Sequence, residues 1–341
     1  MRRKFEIFFI MFVLCCTFSE VAAQQIFRAV GYNVENLFDF RHDSLKNDTE
    51  YLPGNIRGWS SGRFREKVNK IAKVILAASA SYAPDLVGLC EVENDFCLNT
   101  LVRYSPLRDV GYRFVMTSSP DERGIDVALL YQPETFRLLS NHSIRIPSRE
   151  HGHRPTRDIL HVTGKVATGD TLDVFVCHFP SRSGGVKSSE PFRMLAATCL
   201  RHAVDSVMEK RSFPRILVMG DFNDGPDGRV LTEILQANPP GHVADEDRLY
   251  NLMSGKEGGT YRYRGEWDLF DQLIVNGVLL DKNSAFHTDA AKAVILNFPF
   301  LLEEDDAYGG DIPYRTYRGM RYHGGYSDHL PVAVDFMLVF P

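Results

Sequence analysis

Short apolar runs and longer helical-period runs follow one another along this chain, and their order predicts the architecture. Ile26 to Asn33, Leu86 to Cys90, Val127 to Tyr131, Phe136 to Ser140, Ile159 to Val166, Leu172 to Cys177, Ile216 to Asp221, Leu269 to Val275 and Leu330 to Leu338 read as strands. Phe64 to Ala80 instead places Val68, Ile71, Val74, Ile75 and Ala78 at helical spacing, and Pro84 stops it. A second helix is expected from Ser189, an N-cap ahead of Glu190 and Pro191, to about Glu209. Both helices lie between two strands, so two strand–helix–strand units are predicted. No repeat, low-complexity tract or linker divides residues 24–341, and one α/β domain is expected there.

The first residues follow a different pattern. Arg2, Arg3 and Lys4 precede an apolar stretch, Ile7 to Phe18, and Val21-Ala22-Ala23 is a small-residue cleavage site before Gln24. The stretch is too short to span a bilayer comfortably, so residues 1–23 are expected to be a signal peptide cleaved after Ala23. A secreted or periplasmic protein follows, monomeric and with no transmembrane span in its mature chain. Cys15 and Cys16 suggest a lipoprotein, but Val13 and Leu14 are bulky where such a signal takes small residues.

Composition narrows the function. The chain has 39 Lys and Arg against 44 Asp and Glu, a formal net charge of −5. Polyanion binding therefore has to come from a local patch or a metal. Cys90, Cys97, Cys177 and Cys199 show no zinc-finger spacing and imply no disulfide framework.

Four of the predicted strands end in similar letters. Val30-Gly31-Tyr32-Asn33-Val34-Glu35-Asn36, Leu86-Val87-Gly88-Leu89-Cys90-Glu91, Leu217-Val218-Met219-Gly220-Asp221-Phe222-Asn223-Asp224 and Tyr326-Ser327-Asp328-His329-Leu330-Pro331 each place carboxylates, amides or a histidine beside a buried strand. Such groups are poor core material and good oxygen ligands for a hard cation or a phosphate. Alternation puts Asp221 and Asn223 on one face, and pairs Glu35 with Asn33 and Glu93 with Glu91. In this order the four segments resemble the endonuclease/exonuclease/phosphatase superfamily, which includes pancreatic deoxyribonuclease and exonuclease III. The resemblance covers roughly residues 26 to 338. It implies a deoxyribonuclease-like four-layer α/β sandwich, two packed mixed β-sheets flanked by helices.

The resemblance also implies a metal-dependent hydrolase of phosphoester bonds. Glu91 is the expected primary metal ligand, with Asn33 and Asp328 beside it, for Mg²⁺ or else Mn²⁺ or Ca²⁺. Glu35, Asn36, Glu93 and Asn94 are secondary ligands or support. His178, which ends its strand, falls where pancreatic deoxyribonuclease has its first catalytic histidine, and Asp126 is a candidate to orient it. Asp271 is expected to hydrogen-bond His329, with Asp268 as the rival partner, and Asn223 to stabilise phosphate oxygens. Either Asp221 or the His329–Asp271 pair activates water; the sequence leaves both open. Arg157, Arg182 and Arg193 are phosphate candidates. Tyr308 to Tyr326, rich in tyrosine and arginine and broken by glycine, is expected to wall the substrate cleft, with Arg315, Tyr317 and Arg318 in contact.

The leading expectation is a secreted nuclease-type phosphodiesterase acting on nucleic acid. Phospholipid headgroups or inositol phosphates are alternative phosphoester substrates, although Trp267 to Asp271 lacks the Pro-x-Trp-Cys-Asp-Arg pattern of the inositol phosphatases. A non-catalytic binding module would be favoured by loss of Glu91, His178, Asp221 or His329, and all four are present.

Overall fold

The structure, a computed structural model, describes residues 24–79, 82–241 and 244–340, so the expected signal peptide lies outside it. Two seven-stranded sheets pack face to face. The first runs Phe286–His287, Val332–Val339, β1 (Gln24–Leu37), β2 (Leu86–Val92), β4 (Asp126–Tyr131) and β3 (Arg113–Met116), with Ala293–Ile295 also pairing Val332–Val339. The second runs β5 (Phe136–Ile144), β6 (Ile159–Val166), β7 (Thr171–His178), β8 (Ile216–Asp221), Asp271–Asn276, Leu249–Asn251 and Ala237–Asn238. This is the expected two-sheet α/β sandwich. β1 and β2 are parallel and joined through α1 (Ser61–Ala77); β7 and β8 are parallel and joined through α3 (Val186–Lys210).

Alternation decides which side chains meet. Phe27 and Ala29 of β1, Val174 and Val176 of β7, Leu217 and Met219 of β8, and Leu273 and Val275 all point between the sheets. Tyr32, Leu89 and α1 form one outer layer with α2 (Asp95–Tyr104), while Phe175, Val218 and α3 form the other. Each such fully buried apolar side chain contributes roughly 2 kcal/mol. The sheets pack tightly at Gly88, where an added Cβ would lie 3.1 Å from Met219. Asn33, His178, Asp221 and Asp271 continue this same inward-facing series at the strand ends. The helix α2 has no counterpart among the expected elements; Asn94, expected near a metal, caps it by accepting the Cys97 N–H at 3.1 Å.

The start of α3 also differs from expectation. Gly185, not Ser189, is its N-cap, which places Pro191 inside the helix. Arg193 is completely buried there and donates to the Ser189 hydroxyl (2.8 Å) and the Val186 carbonyl (3.2 Å), within the turn where Pro191 lacks a donor. No described helix is long and apolar enough to cross a membrane.

Candidate active site

Four side chains converge on one oxygen of Asp221. Its Oδ2 accepts hydrogen bonds from Asn33 Nδ2 (3.0 Å) and Asn223 Nδ2 (3.1 Å), with His178 Nε2 3.5 Å and His329 Nε2 3.8 Å away. Its Oδ1 accepts the Asn223 N–H at 2.8 Å. Strand register brings these groups together: Asp221 is opposite His178 on one side and Asp271 on the other. Gly220 permits the approach. It sits at φ 132°, and a Cβ there would lie 2.0 Å from the Cys177 carbonyl oxygen, which only glycine avoids.

Alternation alone does not build the site. Glu35, Asn36, Glu91 and Asn223 are non-glycine residues at φ 52°, 54°, 69° and 48°. Each such conformation costs of order 1 kcal/mol, and strain of this kind clusters where side chains are re-aimed for function. β1 shifts register between Asn33 and Leu37, and β2 between Cys90 and Val92. The shift at Glu91 turns its carboxylate toward the inner face, where Oε1 lies 3.7 Å from His178 Nε2 and Oε2 accepts the Asn36 N–H at 2.8 Å. Glu35 is turned away from Asn33 instead. Its carboxylate accepts the N–H groups of Thr316 (2.6 Å) and Tyr317 (3.3 Å). Glu93 likewise leaves Glu91 and accepts the Asp39 N–H at 2.6 Å.

The two histidines are driven in opposite directions. Burial, reinforced by the charges of Arg157, Arg123 and His329, pushes His178 well below its ordinary pKa, so it stays neutral. Burial opposes the charged form of His329 too, but Asp271 and Asp221 outweigh it and raise its pKa to about 10. Asp271 Oδ2 lies 2.7 Å from His329 Nδ1, whereas Asp268 lies by Arg182 at 3.4 Å. Tyr261 packs on the His329 ring at a centroid distance of 5.1 Å, and Thr260 accepts the Asp271 N–H at 3.2 Å. Burial also raises Asp221 to about 7, against the opposing pull of His329.

Several expected residues stand elsewhere. Asp126 does not orient His178; it accepts from the Thr117 hydroxyl (2.5 Å) and the Ser119 N–H (2.9 Å), closing the β3–β4 turn. His178 Nδ1 has no hydrogen-bond partner among the described residues. Arg157 is buried beside the site, bonded to the Phe179 carbonyl (2.7 Å) and to Asp121 (3.3 Å). Arg182 donates to the Asn223 carbonyl and to Asp224, both at 2.9 Å, and lies over the Phe270 ring. Arg193, inside α3, is fully buried with its Nε 3.8 Å from Asp224. Asp328 is paired with Arg315 at 2.6 Å, and Arg318 with Glu303 at 3.0 Å.

The segment from Tyr308 to Tyr326 meets the site through Arg315 alone among its expected contacts. Tyr317 is buried, donates to the Arg57 carbonyl at 3.0 Å and packs on Trp59. Tyr322 donates to Glu66 and Tyr326 receives Lys73, both on α1. Their rings remove more apolar surface from water against the helix than they would in an open cleft. Arg123, missed from the sequence, lies close enough for its charge to depress His178 and remains half exposed. Its signal, one arginine in a polar turn, is indistinguishable from a solvated surface charge.

The chain matches the family described as Endonuclease/Exonuclease/phosphatase family over residues 29–337. No curated protein matches it. Solved structures with the same fold include humanized D. rerio TDP2, at 14% identity and a TM-score of 0.57, covering 91% of this chain and 98% of that one. A mannosyl-6-phosphatase of Bacteroides thetaiotaomicron has 15% identity and a TM-score of 0.55, covering 92% and 100%. The human Nocturnin catalytic domain has 18% identity and a TM-score of 0.52, covering 93% and 96%. At such identities the likeness is one of fold. The match along nearly the whole described chain and the shared two-sheet architecture make this protein a member of the endonuclease/exonuclease/phosphatase family, whose enzymes hydrolyse phosphoester bonds.

Proposed function

We propose that this protein is a divalent-metal-dependent phosphodiesterase of the nuclease type that cleaves by direct attack of water on phosphorus. The observation that carries the reading is the convergence of Asn33, Asn223, His178 and His329 on Asp221 Oδ2, with His329, 3.8 Å away, held charged by Asp271 and Asp221. This arrangement assigns roles. His329 is an imidazolium at neutral pH, a poor base and a good partner for developing negative charge. Asp221, which burial makes a stronger base than an ordinary carboxylate, takes the proton from the attacking water at Oδ2. Asn33 and Asn223 fix that carboxylate through their amide N–H groups, and neutral His178 offers Nε2 between Glu91 and Asp221.

The donor set fits a hard cation. Among the described residues no three His, Cys, Asp or Glu side chains close around one point, so the closed cage that zinc favours is not formed. Glu91 Oε1 and the Asn33 amide oxygen are oxygen donors of the kind taken by Mg²⁺, which keeps several waters and uses one or two carboxylates. Mn²⁺ and Ca²⁺ suit the same donors. When bound, the cation supplies positive charge against the phosphoryl oxygens. Asp328, the third expected ligand, lies beside Arg315 at 2.6 Å.

The test is purified protein with Mg²⁺ or Mn²⁺ against plasmid DNA, RNA, sphingomyelin, inositol phosphates and a hexose phosphate side by side. Cleavage of nucleic acid, abolished by chelator, is expected. Cleavage confined to a lipid or inositol phosphate would move the substrate class; no cleavage of any would overturn the reading. The reading includes export, supported by the segment Arg2 to Ala23, and a mature protein beginning at Gln24 would bear this out.

A further inference from the structure

Lys67 stands on the apolar stripe of α1, among Phe64, Val68 and Ile71, and is almost wholly buried. An ammonium group there is costly unless fully compensated. Its Nζ donates to the Thr316 hydroxyl and the Tyr326 carbonyl, each at 2.5 Å. Glu35 holds the same segment from the sheet side, through the N–H groups of Thr316 and Tyr317. The left-handed conformation of Glu35 is what aims its carboxylate there. Between these anchors lie the groups that reach the site. Arg315, next to Thr316, donates to Asp328, and Ser327, next to Tyr326, donates to the Asn33 carbonyl (2.7 Å) and accepts the His329 N–H (3.1 Å).

We propose that Lys67 and Glu35 are a positioning pair that fixes the backbone at Thr316–Tyr317 and Tyr326, and thereby presents Arg315 to the phosphate of the substrate. The proposal rests on the phosphoesterase reading above. A plain structural tie between α1, the sheet and a surface segment would look similar, and paired substitution separates the two. Lys67→Met with Glu35→Gln removes both charges, keeps the volumes and leaves one acceptor at position 35. Removing both buried charges together avoids leaving either one uncompensated in the apolar layer.

The double variant is expected to melt within a few degrees of the wild type. Its KM on the phosphoester that the wild type cleaves should rise at least tenfold, with kcat within about threefold. Arg315→Ala should show the same split, and the triple variant should be no worse than Arg315→Ala alone. A folded double variant with wild-type KM overturns the proposal, as does a loss that multiplies with Arg315→Ala. Exchange of the Thr316 and Tyr317 amide hydrogens needs no activity and should quicken at least tenfold in the double variant. Unchanged exchange overturns the hold on the segment even if no tested phosphoester is cleaved, a result that would sink only the functional reading.

Discussion

Asp271 is the largest of the charges that keep His329 protonated, and this dependence can be measured. Burial by itself lowers an imidazole, so Asp271→Asn should bring His329 from about 10 toward or below its ordinary 6.5. An NMR titration of the imidazole checks this, and a value still near 10 would assign the whole effect to Asp221. The sign for stability follows. Between pH 6.5 and 10 the folded protein holds a proton that the unfolded chain has lost. The stabilisation is therefore full below 6.5 and fades as pH rises toward 10. In catalysis, His329→Ala and Asp271→Asn should act as a unit, the double variant being little worse than the worse single. Glu91→Gln should cost about a hundredfold or more in activity and weaken Mn²⁺ binding with the fold intact. Wild-type Mn²⁺ affinity in that variant would remove Glu91 from the metal.

Strands carry the site, and strands were the most legible part of the sequence. The inward alternation of β1, β7, β8 and Asp271–Asn276 is written in their apolar letters, and it puts Asn33, His178, Asp221 and Asp271 on one face. The left-handed turns at Glu35, Glu91 and Asn223 were not legible, because their letters also suit extended strand ends. They decide that Glu91 faces the site while Glu35 leaves it. The composition of the aromatic segment before Asp328 suits a cleft wall, but composition does not distinguish a tyrosine that meets a ligand from one that meets a helix. Pro191 read as a first-turn residue, and a glycine pair ahead of it started α3 earlier. Gly220→Ala tests how firmly β7 and β8 are locked. The backbone strain alone costs of order 1–3 kcal/mol, and the carbonyl contact adds to it. Thermal unfolding should show a clear loss of stability together with loss of activity; a folded, active Ala variant would mean that the strand ends shift freely.

Taken as a body, the protein repels polyanions. With a formal charge of −5, and with Arg157, Arg182, Arg315 and Arg318 each beside a carboxylate, attraction for a nucleic-acid backbone is local and partly offset. The dependence of log KM on log salt should have a slope below about 3 in magnitude. Replacing Arg315, Arg318 and Arg321 with alanine should raise KM on nucleic acid and flatten this slope further, with a much weaker effect on a nitrophenyl phosphodiester. Equal losses on both substrates would make the arginines structural.

The way the two sheets share the chain has a practical corollary. Val332–Val339 completes the sheet begun by β1, and β5 joins the sheet that otherwise belongs to residues after 159. A cut in the exposed stretch 149–152 would leave each piece with an unfinished sheet and an incomplete candidate site. Asn33 and Glu91 would lie on one piece, and His178, Asp221, Asp271 and His329 on the other. Hydrolysis would then switch on only when the pieces find each other, making this fold a split reporter whose signal is its own turnover.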